Sequence, residues 1–157
     1  MKIFWRRRLF WLAALFWLIL DFSTKYIASA NMQLGDSFGI WQNVFHFTYA
    51  INTGAAFSLF QNNVDILKWI SLGVSFGLAS LAIWSNKLNS WEQVGYGCIL
   101  GGALGNGLDR FTKGYVVDFL DFRLIRFPIF NFADVAINLG LCCLLVAFFS
   151  GLSDRSQ

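Results

Sequence analysis

Residues 127–153 read FPIFNFADVAINLGLCCLLVAFFSGLS, and from Val135 to Ser153 no side chain is charged. That run comes close to the about 20 apolar residues that a helix needs to cross hydrocarbon. Pro128 stops any helix ahead of it, and Asn131 is a good N-cap. Asp134 then falls in the first turn, where unsatisfied backbone N–H groups favour negative charge. A membrane helix that begins on an aspartate is the pattern against which the rest of the chain is read.

Three further stretches are nearly free of charge: Leu9 to Leu20, Trp69 to Asn86 and Gln93 to Leu108. With their ends extended, the four predict spans at about 9–28, 66–86, 92–110 and 132–152, with external loops at about 29–65 and 111–131. The expected fold is a single integral membrane domain over 1–157, an all-α bundle of four transmembrane helices with a small extracytoplasmic β-rich cradle. Composition agrees: 57% of residues are hydrophobic, 13% are charged, one is proline, and the mean hydropathy is +0.55. Those values exclude an ordinary soluble domain of this size. The net charge of +3 forms no basic stripe of the kind that binds nucleic acid.

Lys2, Arg6, Arg7 and Arg8 precede the first span and place the N-terminus in the cytoplasm, and four spans return the C-terminus there. Lys and Arg summed over all segments divide evenly between the two sides, so the orientation rests on that cluster. A cleaved leader ending at Ala28-Ser29-Ala30 is the rival reading. Against it stands the i,i+4 pair Asp21 and Lys25, which a discarded leader does not need. From Arg8 to Asp21 a helix rises only roughly 20 Å, so Asp21 is expected below the outer surface and in need of a partner. In the first loop, Phe45, Phe47, Tyr49 and Ile51 alternate with His46, Thr48 and Ala50, predicting a strand with one apolar face, bounded by Gly35-Asp36 and Asn52-Thr53-Gly54. Phe119 to Phe130 mixes aromatics with Asp121, Arg123 and Arg126, as expected at a membrane interface.

Alternating spans bring Asp21, Asp109, Asp118 and Asp134 to one membrane face. Interfacial charges that mark helix ends would account for some of them, but not for their depth or their amide neighbours. Gly97, Gly101 and Gly105 leave one face of the third span flat for close helix packing. Asp109 continues that stripe, and Asn106 and Arg110 form an adjacent i,i+4 pair. This gives all three a scaffold role, with the Arg110 guanidinium available to hold carboxylates. If Asp118 and Asp134 face each other, they share one proton, which is the arrangement of an aspartic peptidase. Asp134, at its helix start, is assigned the ionised member. Spacing alone does not bring the two together.

The chain resembles the lipoprotein signal peptidases (signal peptidase II), a family of bacterial four-span membrane aspartic peptidases. Four blocks carry the likeness: Asp21-Phe22-Ser23-Thr24-Lys25, Asn52-Thr53-Gly54-Ala55-Ala56-Phe57, Gly105-Asn106-Gly107-Leu108-Asp109-Arg110 leading to Val116-Val117-Asp118-Phe119, and Phe130-Asn131-Phe132-Ala133-Asp134. The resemblance implies that Asp118 and Asp134 are catalytic. It also implies that Asn52, Gly54, Asn106, Arg110, Asn131 and Ala133 line or brace the site and that Asp21 and Lys25 support it. Its further implications are a β cradle, a flap around Phe119 to Phe127, and cleavage of diacylglyceryl-modified prolipoproteins just before the lipidated cysteine. Phe22, where the family usually has glutamine, and Val135 depart from its pattern and predict altered packing or site polarity.

No cofactor or metal is expected: His46 is the only histidine, and Cys98, Cys142 and Cys143 read as three free, buried thiols packed as small hydrophobes. The partners implied are prolipoproteins and membrane lipids, at a bacterial inner membrane, with the active site near its outer face. The oligomeric state is not readable, and a monomer is compatible with the sequence. A small proton-coupled transporter using the buried carboxylates is the alternative from another class, although its acids would sit nearer the bilayer midplane.

Overall fold

A computed structural model describes residues 6–54, 63–85, 88–125 and 127–153. Among these lie four helices, α1 (Arg8–Asn31), α2 (Val64–Trp84), α3 (Ser90–Thr112) and α4 (Phe132–Ser153), and three strands, β1 (Ser37–Trp41), β2 (Phe45–Asn52) and β3 (Val116–Phe122). The strands form one antiparallel sheet in the order β1-β2-β3, assembled from the α1–α2 and α3–α4 connections. Residues 1–5, 55–57 and 126, which carry part of the predicted N-terminal cluster, one resemblance block and the flap, lie outside the described residues.

The bundle keeps its small residues inside and its large ones outside. α3 packs against all three other helices. A Cβ at Gly101 would stand 2.7 Å from the Ala14 carbonyl oxygen, one at Gly95 2.9 Å from that of Gly140, and one at Gly97 would collide with the Phe10 carbonyl. Glycine is therefore what lets the backbones approach, as the four-residue repeat predicts. Leu12, Leu15, Phe16, Ile19, Phe76, Phe148 and Phe149 point outward, which suits helices whose solvent is hydrocarbon.

Helices α1, α2 and, over Phe132–Gly151, α4 are long and apolar enough to cross a membrane by length and composition. α3 is long enough, at 23 residues, but its glycines and Glu92, Asp109 and Arg110 lower its apolarity. Its surroundings are other helices, so it does not need large apolar side chains of its own. α1 continues ten residues past Asp21 to Asn31, which carries Asp21 and Lys25 inside the helix, 1% and 2% exposed.

Two apolar clusters sandwich a polar layer. Phe10, Ala14, Ala82 and Leu100 form one, and Ala28, Val117, Phe119 and Leu120 the other, beside the sheet. Arg7, read from the sequence as a topology charge, is buried and donates to the Ser85 carbonyl at 2.7 Å, joining the start of α1 to the end of α2.

The sheet corrects three expectations. Strand β3 was not anticipated, and it takes Phe119 to Phe122 out of the predicted flap, burying Phe119 and Leu120 in the core. Of the described part of the predicted flap, the 3-10 turn Arg123–Ile125 and Phe127 remain outside the strand, and Phe127 to Phe130 line the cavity. The alternation along β2 is also broken. Phe47 pairs with Leu120, but Ala50 pairs with Asp118, so β2 carries an extra residue between them. A bulge of this kind inverts which residues share a face. Ile51 therefore leaves the face of Phe45 and Phe47 and is exposed, while Asn52 joins the face of Asp118.

Candidate active site

Helix α4 opens with a reciprocal cap. The Asp134 N–H donates to Asn131 Oδ1 at 3.1 Å, and the Asn131 N–H donates to Asp134 Oδ2 at 3.2 Å. Asn131 is the N-cap that the sequence predicts, with aspartate at the N3 position where a capping box usually has Glu or Gln. The next free donor, the Ala133 N–H, goes to Asp21 Oδ1 at 2.8 Å.

Asn131 is 0% exposed, and its Nδ2 donates to Asp118 Oδ1 at 2.6 Å, with longer approaches to Asn106 Oδ1 (3.0 Å) and the Val117 carbonyl (3.3 Å). One side chain thus holds Asp134 through its oxygen and Asp118 through its nitrogen. The remaining carboxylate oxygens also have amide partners. Asn52 Nδ2 donates to Asp118 Oδ2 at 2.9 Å, and Asn106 Nδ2 donates to Asp134 Oδ1 at 2.9 Å. The bulge in β2 makes the first of these contacts possible by turning Asn52 to the Asp118 face. Asn52 Oδ1 is fixed in turn by the Gly54 N–H at 2.9 Å.

Burial, and then the negative charge of Asp134, push the Asp118 carboxyl up to about 7, against the opposing pull of its two amide donors. One of the pair therefore carries a proton near neutrality.

Behind the amides lies a charged layer. Lys25 Nζ meets Asp21 Oδ2 at 2.7 Å and Asp109 Oδ2 at 3.2 Å, and donates to Asn106 Oδ1 at 2.9 Å. Asp109 also pairs with Lys113 at 2.9 Å and accepts the Val117 N–H at 3.2 Å, which ties the end of α3 to β3 beside Asp118. The buried, partnered Asp21 expected from the length of the first apolar stretch is found here. Arg110 differs from expectation: its guanidinium donates to the Gly54 carbonyl at 3.0 Å and the Asn106 carbonyl at 3.4 Å. It pins the Asn52–Gly54 segment rather than clamping a carboxylate.

Asp118 and Asp134 open onto a cavity of ≈ 830 Å³. Asn52, Gly54, Asn106 and Arg110 line its polar end, and Phe127 to Phe130 lie along one side. Along α4 the wall becomes apolar through Val135, Ile137 and Leu139, with Asn138 and Cys142 among them. Ala133, Asn131, Asp21, Lys25 and Asp109 stay behind this surface. Of the two departures from the family pattern, Val135 lines the cavity, but Phe22 points away from the bundle at 68% exposure and alters neither packing nor polarity at the site. The cysteines are free, but only Cys98 is buried; helical periodicity turns Cys142 outward and leaves Cys143 between.

Sequence reasoning missed several polar partners. Thr48 donates to Asp121 at 2.7 Å, Arg123 Nε donates to the same oxygen at 2.9 Å, and Arg123 Nη2 reaches Ser37 at 2.6 Å, so this network crosses all three strands. Only the register could have revealed it. Lys113 and Asn138 did carry signals: an i,i+4 partner for Asp109, and a lone amide in an apolar run.

The family model for signal peptidase (SPase) II matches residues 13–150. A lipoprotein signal peptidase of Microcystis aeruginosa is 61% identical over 132 residues, covering 83% of this chain and 85% of that protein. A lipoprotein signal peptidase of a Nostoc species is 54% identical over 143 residues, covering 91% and 90%. A solved structure described as a bacterial membrane enzyme superposes with a TM-score of 0.84 at 33% identity, covering 92% of this chain and 89% of that one. With a match of this extent on a fold that gathers the polar blocks of its sequence around one cavity, the chain belongs to the signal peptidase II family.

Proposed function

We propose that this protein is an aspartic endopeptidase of the bacterial inner membrane that removes the signal peptide from diacylglyceryl-modified prolipoproteins, cutting just before the lipidated cysteine, with Asp118 and Asp134 as its catalytic pair. The observation that carries this reading is the shared clamp: Asn131 hydrogen-bonds both carboxylates at the mouth of one cavity.

In the proposed reaction, a water molecule lies between the pair and the scissile carbonyl. Ionised Asp134 takes a proton from this water as its oxygen bonds to the carbonyl carbon, and protonated Asp118 donates to the carbonyl oxygen. Collapse of the tetrahedral intermediate breaks the C–N bond. Asp134 returns the proton to the departing nitrogen, and the hydroxyl proton goes back to Asp118 as the acid re-forms. Asn52, Asn106 and Asn131 keep both carboxylates oriented while their charges change. Lys25, in the layer beneath them, favours the ionised form of Asp118.

All four helices cross the bilayer in this proposal. α3 spans within a sleeve formed by the other three, both termini are cytoplasmic, and the sheet and the aspartates lie at the outer face. The contacts that join Asp21, Asp109 and the start of α4 support a single polar layer, and the basic residues Lys2, Arg6, Arg7 and Arg8 ahead of the first span support the orientation. The transporter alternative has no support: the family is a peptidase family, and of the proposed catalytic pair Asp134 lies at a helix start and Asp118 on a strand.

Asp118→Asn and Asp134→Asn, purified and given a diacylated prolipoprotein in detergent, test the assignment. Both variants should stay folded and cleave nothing. Substantial turnover by either removes that residue from the pair.

A further inference from the structure

Asn138 lies one helical turn beyond Asp134, is exposed, and lines the same cavity. Its Nδ2 donates to the Asp134 carbonyl at 2.9 Å. That bond uses one of the two amide hydrogens, and among the described residues Oδ1 receives none. The Ser150 hydroxyl spends its single hydrogen in the same kind of bond, on the Val146 carbonyl. Asn138 keeps one donor and one acceptor uncommitted among the described residues, on a cavity wall shared with Val135, Ile137, Leu139 and Cys142. A free donor beside a free acceptor complements a peptide group.

For two aspartates to reach a scissile carbonyl, the substrate backbone must be unwound there, and an unwound backbone inside an apolar groove needs hydrogen-bond partners. From Asp134 to Asn138 the helix advances about 6 Å, which an extended chain covers in about two residues. The signal peptide is the portion that descends into the membrane from the cut.

We propose that Asn138 is a positioning residue that pairs with the substrate backbone about two residues to the signal-peptide side of the scissile bond. This rests on the peptidase reading above. The contact is made alike in the bound substrate and in the transition state, so it governs KM and not kcat.

The test compares wild type with Asn138→Leu, which keeps the volume and removes the amide. Each enzyme receives a diacylated prolipoprotein peptide and the same peptide with its second backbone amide before the cut replaced by an ester. With the amide substrate, Asn138→Leu should raise KM about 10-fold with kcat within about twofold. The ester should weaken wild type by a similar factor and the variant by little more. A variant with the KM of wild type, or an ester penalty equally large in both enzymes, overturns the role of Asn138 while the peptidase stands. A wild-type enzyme that cleaves neither substrate overturns both readings. A variant that loses kcat and its melting transition together shows Asn138 to be structural.

Discussion

Asp118 sits on a strand between two amide donors, and in the proposed mechanism its protonation sets one side of the pH dependence. Its folded-state value is about 7 against 3.8 for a free carboxyl, so the proton needed for donation is held below about 7 and lost above it. The prediction is that kcat/KM falls with rising pH, approaching tenfold per unit well above 7, on a limb belonging to the pair. By the same sign, the folded state binds more protons than the unfolded one between about 4 and 7, so stability also declines as pH rises through that window. Asn52 favours the charged form through its bond to Oδ2. Asn52→Ala should therefore move the limb to higher pH while lowering the rate, and an unmoved limb in a pH profile would mean that Asn52 acts on the substrate alone. Much of this site was legible because amides and acids are conspicuous in an apolar chain: Asn106, Asn131, Asp118 and Asp134 stand out in the sequence. The contact of Asn52 with Asp118 was not readable from spacing, because it depends on an extra residue in β2 that turns Asn52 to the other face.

At the scale of elements, the structure centres on α3, which carries glycine wherever a neighbouring backbone comes close. A Cβ at Gly101 would press on the Ala14 carbonyl at 2.7 Å and the Trp17 Cβ at 2.9 Å, whereas one at Gly77, on the outer face of α2, meets nothing within 4 Å. Gly101→Ala should lower stability by about 1–3 kcal/mol through forced separation of α1 and α3. Gly77→Ala should be neutral or stabilising by up to about 1 kcal/mol. Melting curves in one detergent would compare them, and equal effects would mean that glycine spacing does not set the helix distance. The helices were legible because charge is sparse along them and glycine marks their contacts. Strand β3 was not, for a physical reason: residues 116–121 are buried on both faces. It therefore lacks the alternation that reveals a half-exposed strand, and its charged residues imitate an interfacial segment.

The whole molecule is held together by a polar layer between two apolar clusters, and Lys25 is its centre. It joins α1 to α3 through Asp109 and Asn106, and through Asp21 it reaches the Ala133 N–H that begins α4. In hydrocarbon the apolar effect does little to press one helix on another, so close packing and this layer carry the association. Lys25→Met would leave carboxylates buried without their cation, which costs about 3–5 kcal/mol in comparable cases. The two acids are not equivalent, since Asp109 keeps Lys113 at 2.9 Å while, among the described residues, Asp21 retains the backbone N–H of Ala133 alone. Adding Asp21→Asn to Lys25→Met should therefore recover more stability than adding Asp109→Asn. Melting temperatures of the singles and both doubles, measured together, give the coupling directly. Equal recovery would place the load on the layer as a whole, and no loss from Lys25→Met would mean that glycine packing alone holds the helices, with the charges serving only to aim Asn106 at Asp134.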